Sequence, residues 1–478
     1  MSTHLISPPQ QVTRLLPAVC IFALALSVQA QTPPEPAAPD FVETLNISLN
    51  GPEFASVFPQ VAVSPVDQDF IAVAWRRYGL PIDTNAAKAD RFAECHVAIS
   101  RDGGRSFRDT NLMSYLRRPR ISAAEPELWG CNAPWAAIAP AGTLYAGGAL
   151  FTELGDVGPE PKQGRARLTL STDGGSTWST GTHGISLDKF ADGVMGLQGG
   201  MKPEDTPWDG PNGFVDPQTG VFYSTAGSWV VASEDQGATF GTVYQLQPDD
   251  WTLQRHGSST AAFGVLATAF IASEAPIAGT ECPCLALATS VDHGRTHEIQ
   301  LVANASGFNP NGTIRHPIVA ADRSNQGHFA IATYTPNHES VKVFYTEDGG
   351  LSWESATVTD VLENLRIDSA NQVGVGYTSA GEILVTWRWF RPQGAFNTFV
   401  AMLDQDGDFG PTIKISAEPS VYPPLTYLGN YGRGNGGGDF TTWVTGNDEY
   451  ALVVYPYAPR GKVLDTYLAR IPLSELRN

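Results

Sequence analysis

Ser171-Thr-Asp-Gly-Gly-Ser-Thr-Trp178 returns in four other places along the chain: Ser100-Arg-Asp-Gly-Gly-Arg-Ser-Phe107, Ser233-Glu-Asp-Gln-Gly-Ala-Thr-Phe240, Ser290-Val-Asp-His-Gly-Arg-Thr-His297 and Thr346-Glu-Asp-Gly-Gly-Leu-Ser-Trp353. A period of tens of residues means one supersecondary unit laid down repeatedly. The five copies begin at 100, 171, 233, 290 and 346, so the spacing falls from 71 to 56 residues. Such a length accommodates a four-stranded antiparallel sheet with one or two long loops, the size of a propeller blade. Within each copy, Asp followed by Gly builds a tight turn. The carboxylate bonds nearby amides, and glycine takes positive φ without steric cost. The closing aromatic or His can pack into the blade. The motif is therefore read first as a structural turn.

Working outward from each copy, apolar alternation predicts seven sheet units. The first holds Gln60–Ser64, Phe70–Trp75, His96–Ser100 and a strand after Phe107. The second holds Trp135–Ala139, Thr143–Leu150 and Arg167–Ser171, and the third Gly213–Asp216, Val221–Ala226 and Trp229–Ser233. In the fourth, Gly264–Ala272 and Leu285–Ser290 stand out; in the fifth, Ile318–Ala321, Gly327–Thr333 and Lys342–Thr346. The sixth uses Val373–Tyr377, Glu382–Trp387 and Phe396–Leu403, with a worn turn at Asp404-Gln-Asp-Gly407. The seventh uses Thr441–Val444, Glu449–Tyr455 and Asp465–Ile471. Glu43–Leu49 alternates like a strand and is predicted to close the last blade from outside, removing an open edge. The expected fold is an all-β, seven-bladed propeller, with a six-bladed ring plus a terminal β-extension as the alternative.

Arg14 precedes an apolar run from Leu15 to Val28 that ends in Val28-Gln29-Ala30. This reads as a secretory signal peptide over residues 1–30, too short to span a bilayer comfortably. Residues 31–40 form a Pro-rich flexible leader, and residues 41–478 a single propeller domain. The protein is expected to be secreted or periplasmic, with no membrane insertion. A formal charge of −19 argues against nucleic-acid partners, which demand a basic footprint. Gly 48, Pro 35 and Trp 11 suit a turn-rich β chain. Of the five cysteines, Cys20 falls in the apolar run. Cys95 and Cys131 flank the junction of the first two blades and could bridge them in an oxidising compartment. Cys282-Pro-Cys284 is open between a small disulfide, a redox pair and two buried thiols.

Cations gather where connections meet the ends of the predicted strands. Arg76, Arg77 and Tyr78 follow the first blade's second strand; Arg255-His256 precede blade four, Arg315-His316 blade five and Arg366 blade six. Arg388 and Arg391 follow the sixth blade's second strand, and Tyr431 and Arg433 precede blade seven. A cationic rim on an acidic protein points to an anionic ligand, since the arginine fork matches carboxylate or sulfate. The candidate substrate-binding residues are Arg77, Arg255, Arg315, Arg388 and Arg391. Glu125, Glu127, Glu204, Asp205 and Asp209 could serve as an acid and base, and Trp129 and Trp208 could stack on sugar rings.

The repeats resemble the Asp-box, Ser-x-Asp-x-Gly-x-Thr-Trp, of the sialidase (BNR) superfamily, over most of the chain after residue 40. The resemblance implies that the repeated turn joins third and fourth strands on the side opposite the active site. It also implies three arginines on the substrate carboxylate, a Tyr–Glu nucleophile and a loop Asp as acid/base. Trp75-Arg-Arg77 resembles the family's arginine after a second strand, and Asp90-Arg-Phe-Ala-Glu94 its acid/base loop. Arg391 and Tyr431 follow in suitable order for the last arginine and the tyrosine. The family's Phe-Arg-Ile-Pro corresponds to Ser56-Val57-Phe58-Pro59, which has no arginine.

The expected function is that of a sialidase-like glycoside hydrolase acting on a polar or anionic extracellular glycan. One alternative is a non-catalytic recognition propeller. The other is a uronate lyase, in which His256 or His316 would abstract the proton beside Arg255 or Arg315, since His titrates near neutral pH. Asp90 and Tyr431 complete the catalytic candidates. No cofactor or metal is implied, although a propeller's loops could hold a structural calcium. A monomer is expected. Asn46, Asn304 and Asn311 begin glycosylation sequons.

Overall fold

A computed structural model describes residues 37–477, apart from 52–53, 80–93, 117–129, 152–163, 180–211, 227, 247–249, 309–316, 337–339, 359–368, 391–394, 422–441 and 460–463. The strands fall into seven antiparallel sheets. Blade 1 is Phe54–Val63, Ile71–Gly79, Glu94–Ser100 and Arg108–Asn111. Blade 2 has Gly130–Ile138, Leu144–Phe151 and Gly164–Ser171 among the described residues. Blade 3 is Asn212–Val215, Phe222–Ala226, Trp229–Ser233 and Tyr244–Gln245; blade 4 is Thr252–Ala262, Val265–Glu274, Cys284–Ser290 and Glu298–Ala303. Ile318–Ala321, Phe329–Tyr334, Val341–Thr346 and Glu354–Thr357 make blade 5. Blade 6 comprises Ser369–Tyr377, Ile383–Phe390, Ala395–Leu403 and Ile413–Lys414. Blade 7 comprises Trp443–Gly446, Tyr450–Tyr457, Asp465–Pro472 and the early strand Glu43–Asn46. That last pairing, with Leu45 opposite Leu468, is the expected closing strand. Each innermost strand lies against the next, and that of blade 7 against that of blade 1, so the ring has seven blades. All of it belongs to one compact unit, Ala37–Asn478.

The core is a ring of interblade layers. Side chains alternate across a strand, so a middle strand sends one set toward the preceding blade and the other toward the following one. In blade 1, Ile71, Val73 and Trp75 pack with Leu452, Val454 and Leu468 of blade 7. Phe70, Ala72 and Ala74 pack with Ala136, Ile138 and Leu144 of blade 2. With both faces covered, the stretch Phe70–Arg76 is buried throughout, which is why it reads as a continuous apolar run.

The five repeated turns share one set of hydrogen bonds. In the first, Ser100 Oγ donates to Asp102 Oδ1 (2.7 Å) and accepts from Gly104 N (2.8 Å). Asp102 in turn accepts from Ser106 N (2.9 Å) and Ser106 Oγ (2.6 Å). The same bonds recur around Asp173, Asp235, Asp292 and Asp348. The motif's second glycine has φ of +83 to +96°, and any Cβ there would press on the preceding blade. Gly104 faces Leu468, Gly175 faces Ile99, Gly237 faces Tyr145 and Leu170, Gly294 faces Val230, and Gly350 faces Gln300. The repeat therefore serves as an interblade joint as well as a turn.

Arg255 and His256 do not precede blade 4; they lie inside its innermost strand, opposite Ile271 and Phe270. The sequence Thr252–Ala262 hides a strand because it carries polar residues and shifts register three times, which erases the period of two. Cys95 and Cys131 are bonded across blades 1 and 2, as the sequence allowed, and Cys282 is bonded to Cys284.

Candidate functional site

Antiparallel pairing puts the connections of first to second and third to fourth strands at one end of every blade, and the remaining connections at the other. The first end is tied together. Gly264 N donates to Asp216 Oδ2 (2.6 Å), Ser324 Oγ to Ser379 O (2.7 Å), Ser379 Oγ to Asp448 Oδ1, and Asp448 N to Gln68 Oε1 (2.6 Å). Arg323, in the blade 5 turn, reaches the Gly446 carbonyl of blade 7 at 2.9 Å. These bonds link turns of different blades at this end. The connections of second to third strands lie at the opposite face.

That face carries the irregular backbone. In blades 1, 2, 4 and 6 the innermost strand has one extra residue, set opposite Trp75, Gly148, Ala269 and Trp387. Phe58 and Ala133 take φ of 55° and 44° at the first position of the bulge. Bulges re-aim side chains and concentrate beside functional sites, and positive φ is rare for a bulky residue. Phe58 belongs to Ser56-Val57-Phe58-Pro59, so the segment in which no arginine occurs is also the one that bulges. Two Trp-Arg pairs, Trp75-Arg76 and Trp387-Arg388, occupy the same register beside this bulge in blades 1 and 6.

Arg76, Arg77 and Tyr78 do not follow blade 1's second strand but lie within it, because the strand runs on to Gly79, still paired with Phe54. The Arg77 side chain is 27% exposed. Its Nε donates to Glu94 Oε2 at 2.9 Å, its Nη2 donates to the same oxygen, and its Cζ lies 4.7 Å from the centroid of the Phe54 ring. Glu94 Oε2 also faces His96 Nε2 at 3.4 Å, and His96 Nδ1 lies 3.0 and 3.1 Å from the two oxygens of Asp109. His96 is 2% exposed and stacks on Trp75, ring centroids 5.3 Å apart. Burial would raise the Glu94 carboxyl, but hydrogen bonds from His96 and Arg77 outweigh it and bring the group to about 2. Burial likewise pulls His96 down, yet the bonds to Asp109 and Glu94 prevail and raise it. The result is a row in which the basic Arg77 and His96 alternate with the acidic Glu94 and Asp109.

The other candidates stand as follows. Arg388 does not follow its strand but lies within it, fully buried and 4.9 Å from the Phe396 ring centroid. The apolar run Ile383–Trp387 continues as Trp389 and Phe390, so the strand outlasts the charge that seemed to end it. Arg255 and His256 lie in the innermost strand of blade 4. Asp90, Arg315, His316, Arg391 and Tyr431 lie outside the described residues, as do Glu125, Glu127, Trp129, Glu204, Asp205, Trp208 and Asp209. Sequence reasoning missed Glu94, His96 and Asp109 as a group. Their signal was ionisable residues alternating with the buried Cys95 and Val97 in a strand otherwise apolar through Ile99. Among the described residues, no cluster of His, Cys, Asp and Glu is arranged to hold a metal ion. Asn46 of the first sequon is engaged with Asp465 at 2.7 Å, whereas Asn304 is exposed.

No protein-family model matches this chain, and no curated protein does. Among solved structures, it is similar to a Dyadobacter fermentans protein of unknown function at 12% identity, covering 90% of this chain and 99% of that one, with a TM-score of 0.49. It is similar to a Hadza microbial sialidase at 14% identity, covering 88% of this chain and 66% of that one, with a TM-score of 0.45. It is also similar to Trypanosoma rangeli sialidase at 10% identity, covering 92% of this chain and 60% of that one, with a TM-score of 0.42.

Proposed function

We propose that the protein is an exported, monomeric, sialidase-like propeller that acts as a glycoside hydrolase on a polar or anionic extracellular glycan. The observation that carries this reading is the asymmetry of the ring. One face is bridged by turn-to-turn hydrogen bonds. Toward the other, the second strand of blade 1 carries Arg77 two residues before its end, ahead in sequence of the connection that contains Asp90. The five turns, with their resemblance to the Asp-box, and the interblade disulfide support it, the latter because such bonds persist in oxidising compartments. A signal peptide over 1–30 and a secreted or periplasmic destination belong to the same proposal. Asp90 would be the acid/base and Tyr431 the nucleophile, with Arg77 and Arg391 on the acidic group.

Incubation with a broad glycan panel tests this, reading reducing-end release together with the absorbance of unsaturated uronates. Reducing ends alone support hydrolysis, and rising absorbance would transfer the chemistry to the Arg-His pairs. Asp90→Asn should then lower turnover by about 10²–10⁴-fold with binding retained. A recognition propeller is the second reading. It is favoured by the absent arginine at Ser56–Pro59 and by the pairing of Arg77 with Glu94, and binding without turnover would establish it.

A further inference from the structure

Arg77, Glu94, His96 and Asp109 all project from one face of blade 1. Arg77 is directly opposite Glu94 across the second and third strands, as Trp75 is opposite His96. Asn111 is opposite His96 on the fourth strand, and Asp109 lies two residues before it. By alternation, Cys95 points to the other face, where it is bonded to Cys131 of blade 2. The third strand is therefore held covalently on one side and by ion pairs on the other. Blade 7 presents Leu452, Val454, Leu468 and Ile47 toward this face. Arg470, opposite Leu452 and paired with Glu43, packs on the same side against the Gly104 turn at the other end of the blade. Among the described residues, the ionisable groups joined to His96 directly or through Glu94 are thus Glu94 on its own strand, Arg77 on the second and Asp109 on the fourth.

Glu94 Oε2 serves both cations. With His96 protonated, the four charges sum to zero and the carboxylate is divided between imidazolium and guanidinium. With His96 neutral, the row is negative, and Arg77 is the one cation left on Glu94, beside the uncharged Asn111 side chain. We propose that His96 is a positioning residue for anion capture: by sharing Glu94, its imidazolium leaves the Arg77 guanidinium able to take the carboxylate or sulfate group of an acidic saccharide at the open face. This rests on the reading of Arg77 as a ligand-binding residue. Uptake of the acidic group weakens as pH rises and His96 loses its proton. One added unit of negative charge this close to a partly exposed site changes affinity by about three- to tenfold.

The test uses the full chain, with the His96 ring followed by nuclear magnetic resonance while glucuronate and inorganic sulfate are titrated from mildly acidic to alkaline pH. Binding of both probes should weaken by about three- to tenfold with the midpoint of the His96 titration. Asp109→Asn removes one partner of the imidazolium, so both midpoints should move together to lower pH, a coupling that a merely structural role would not produce. His96→Gln should bind at every pH as weakly as the unmodified protein does at alkaline pH, and Arg77→Ala should take up neither probe. The proposal is overturned if Asp109→Asn moves the ring's midpoint and not the binding step, or if the unmodified protein takes up neither anion. Glycan turnover with no such pH step would also overturn it while leaving the hydrolase reading intact. A pH step in anion uptake without turnover of any glycan would uphold it and reject that reading.

Discussion

The Tyr223 hydroxyl of blade 3 lies 2.8 Å from His293 Nδ1, at the corner of blade 4's repeated turn. The fourth position of the motif has positive φ in all five copies: Gly103 (69°), Gly174 (68°) and Gly349 (77°), but also Gln236 (60°) and His293 (62°). A side chain there is strained by about 1–2 kcal/mol. Both exceptions reach back to the preceding blade, Gln236 accepting from Thr143 Oγ1 at 3.2 Å and His293 meeting Tyr223. The bond offsets the backbone cost. Tyr223→Phe should lower stability by about 0.5–1.5 kcal/mol and have almost no effect in a His293→Gly background. His293→Ala, which keeps the strain and loses the bond, should be worse than His293→Gly. Urea denaturation of the four variants measures this, and equal penalties for Tyr223→Phe in both backgrounds would disprove the coupling.

The second glycine of the motif gives a sharper contrast. Gly175 has φ +83° and its Cβ would fall on Ile99 Cδ1 of blade 1, whereas Gly142 has φ +82° with nothing within 4 Å. Gly142→Ala should cost only the backbone term of about 1–2 kcal/mol. Gly175→Ala adds overpacking, about 1–3 kcal/mol more. Equal thermal shifts for the two variants would show that the turn does not brace the neighbouring blade.

The fold was legible because the repeat marks one place in each of five blades, and because strands buried on both faces read as unbroken apolar runs. The closing strand Glu43–Asn46 was legible for a related reason: its alternation had no partner nearby in sequence. Legibility failed where polar or charged residues stand inside strands. The innermost strand of blade 4 is polar and bulged, and Arg388 is buried inside a strand that its charge seemed to end. The row from Arg77 to Asp109 escaped notice because it is assembled across three strands. Only the register reveals that four residues separated by loops share one surface.

The Cys95–Cys131 bond joins two fully buried sites on strands that bracket the connection between blades 1 and 2. Closing a loop across a sequence separation of 36 is expected to stabilise by about 2–4 kcal/mol, chiefly by constraining the unfolded chain. Cys131→Ser should lower the melting temperature and shrink its response to added reductant, since Cys282–Cys284 remains to be reduced, whereas the unmodified protein should lose more stability when reduced. Because the bond backs the strand carrying Glu94 and His96, the variant should also weaken anion uptake below its melting range. Retained uptake would show that the ion pairs alone hold that strand.

The pH profile of stability follows from the same row. Glu94 falls from an ordinary 4.5 to about 2 in the folded protein. Its contribution is complete above 4.5 and is lost as pH drops toward 2. His96 rises above its ordinary 6.5, so its contribution is complete below 6.5 and is lost as pH climbs through the folded value. Asp102, Asp173 and Asp292 of the repeated turns also fall to about 2. They reinforce the acid limb, although their exposure to solvent weakens each effect. Between roughly 4.5 and 6.5 the row contributes most. Melting temperature should be highest in that window and decline on both sides. His96→Gln should flatten the alkaline decline and leave most of the acid decline, because the turn aspartates are untouched. Differential scanning calorimetry across the range decides it: an alkaline limb that persists unchanged in His96→Gln would assign that decline to another group and remove His96 from the stability of blade 1.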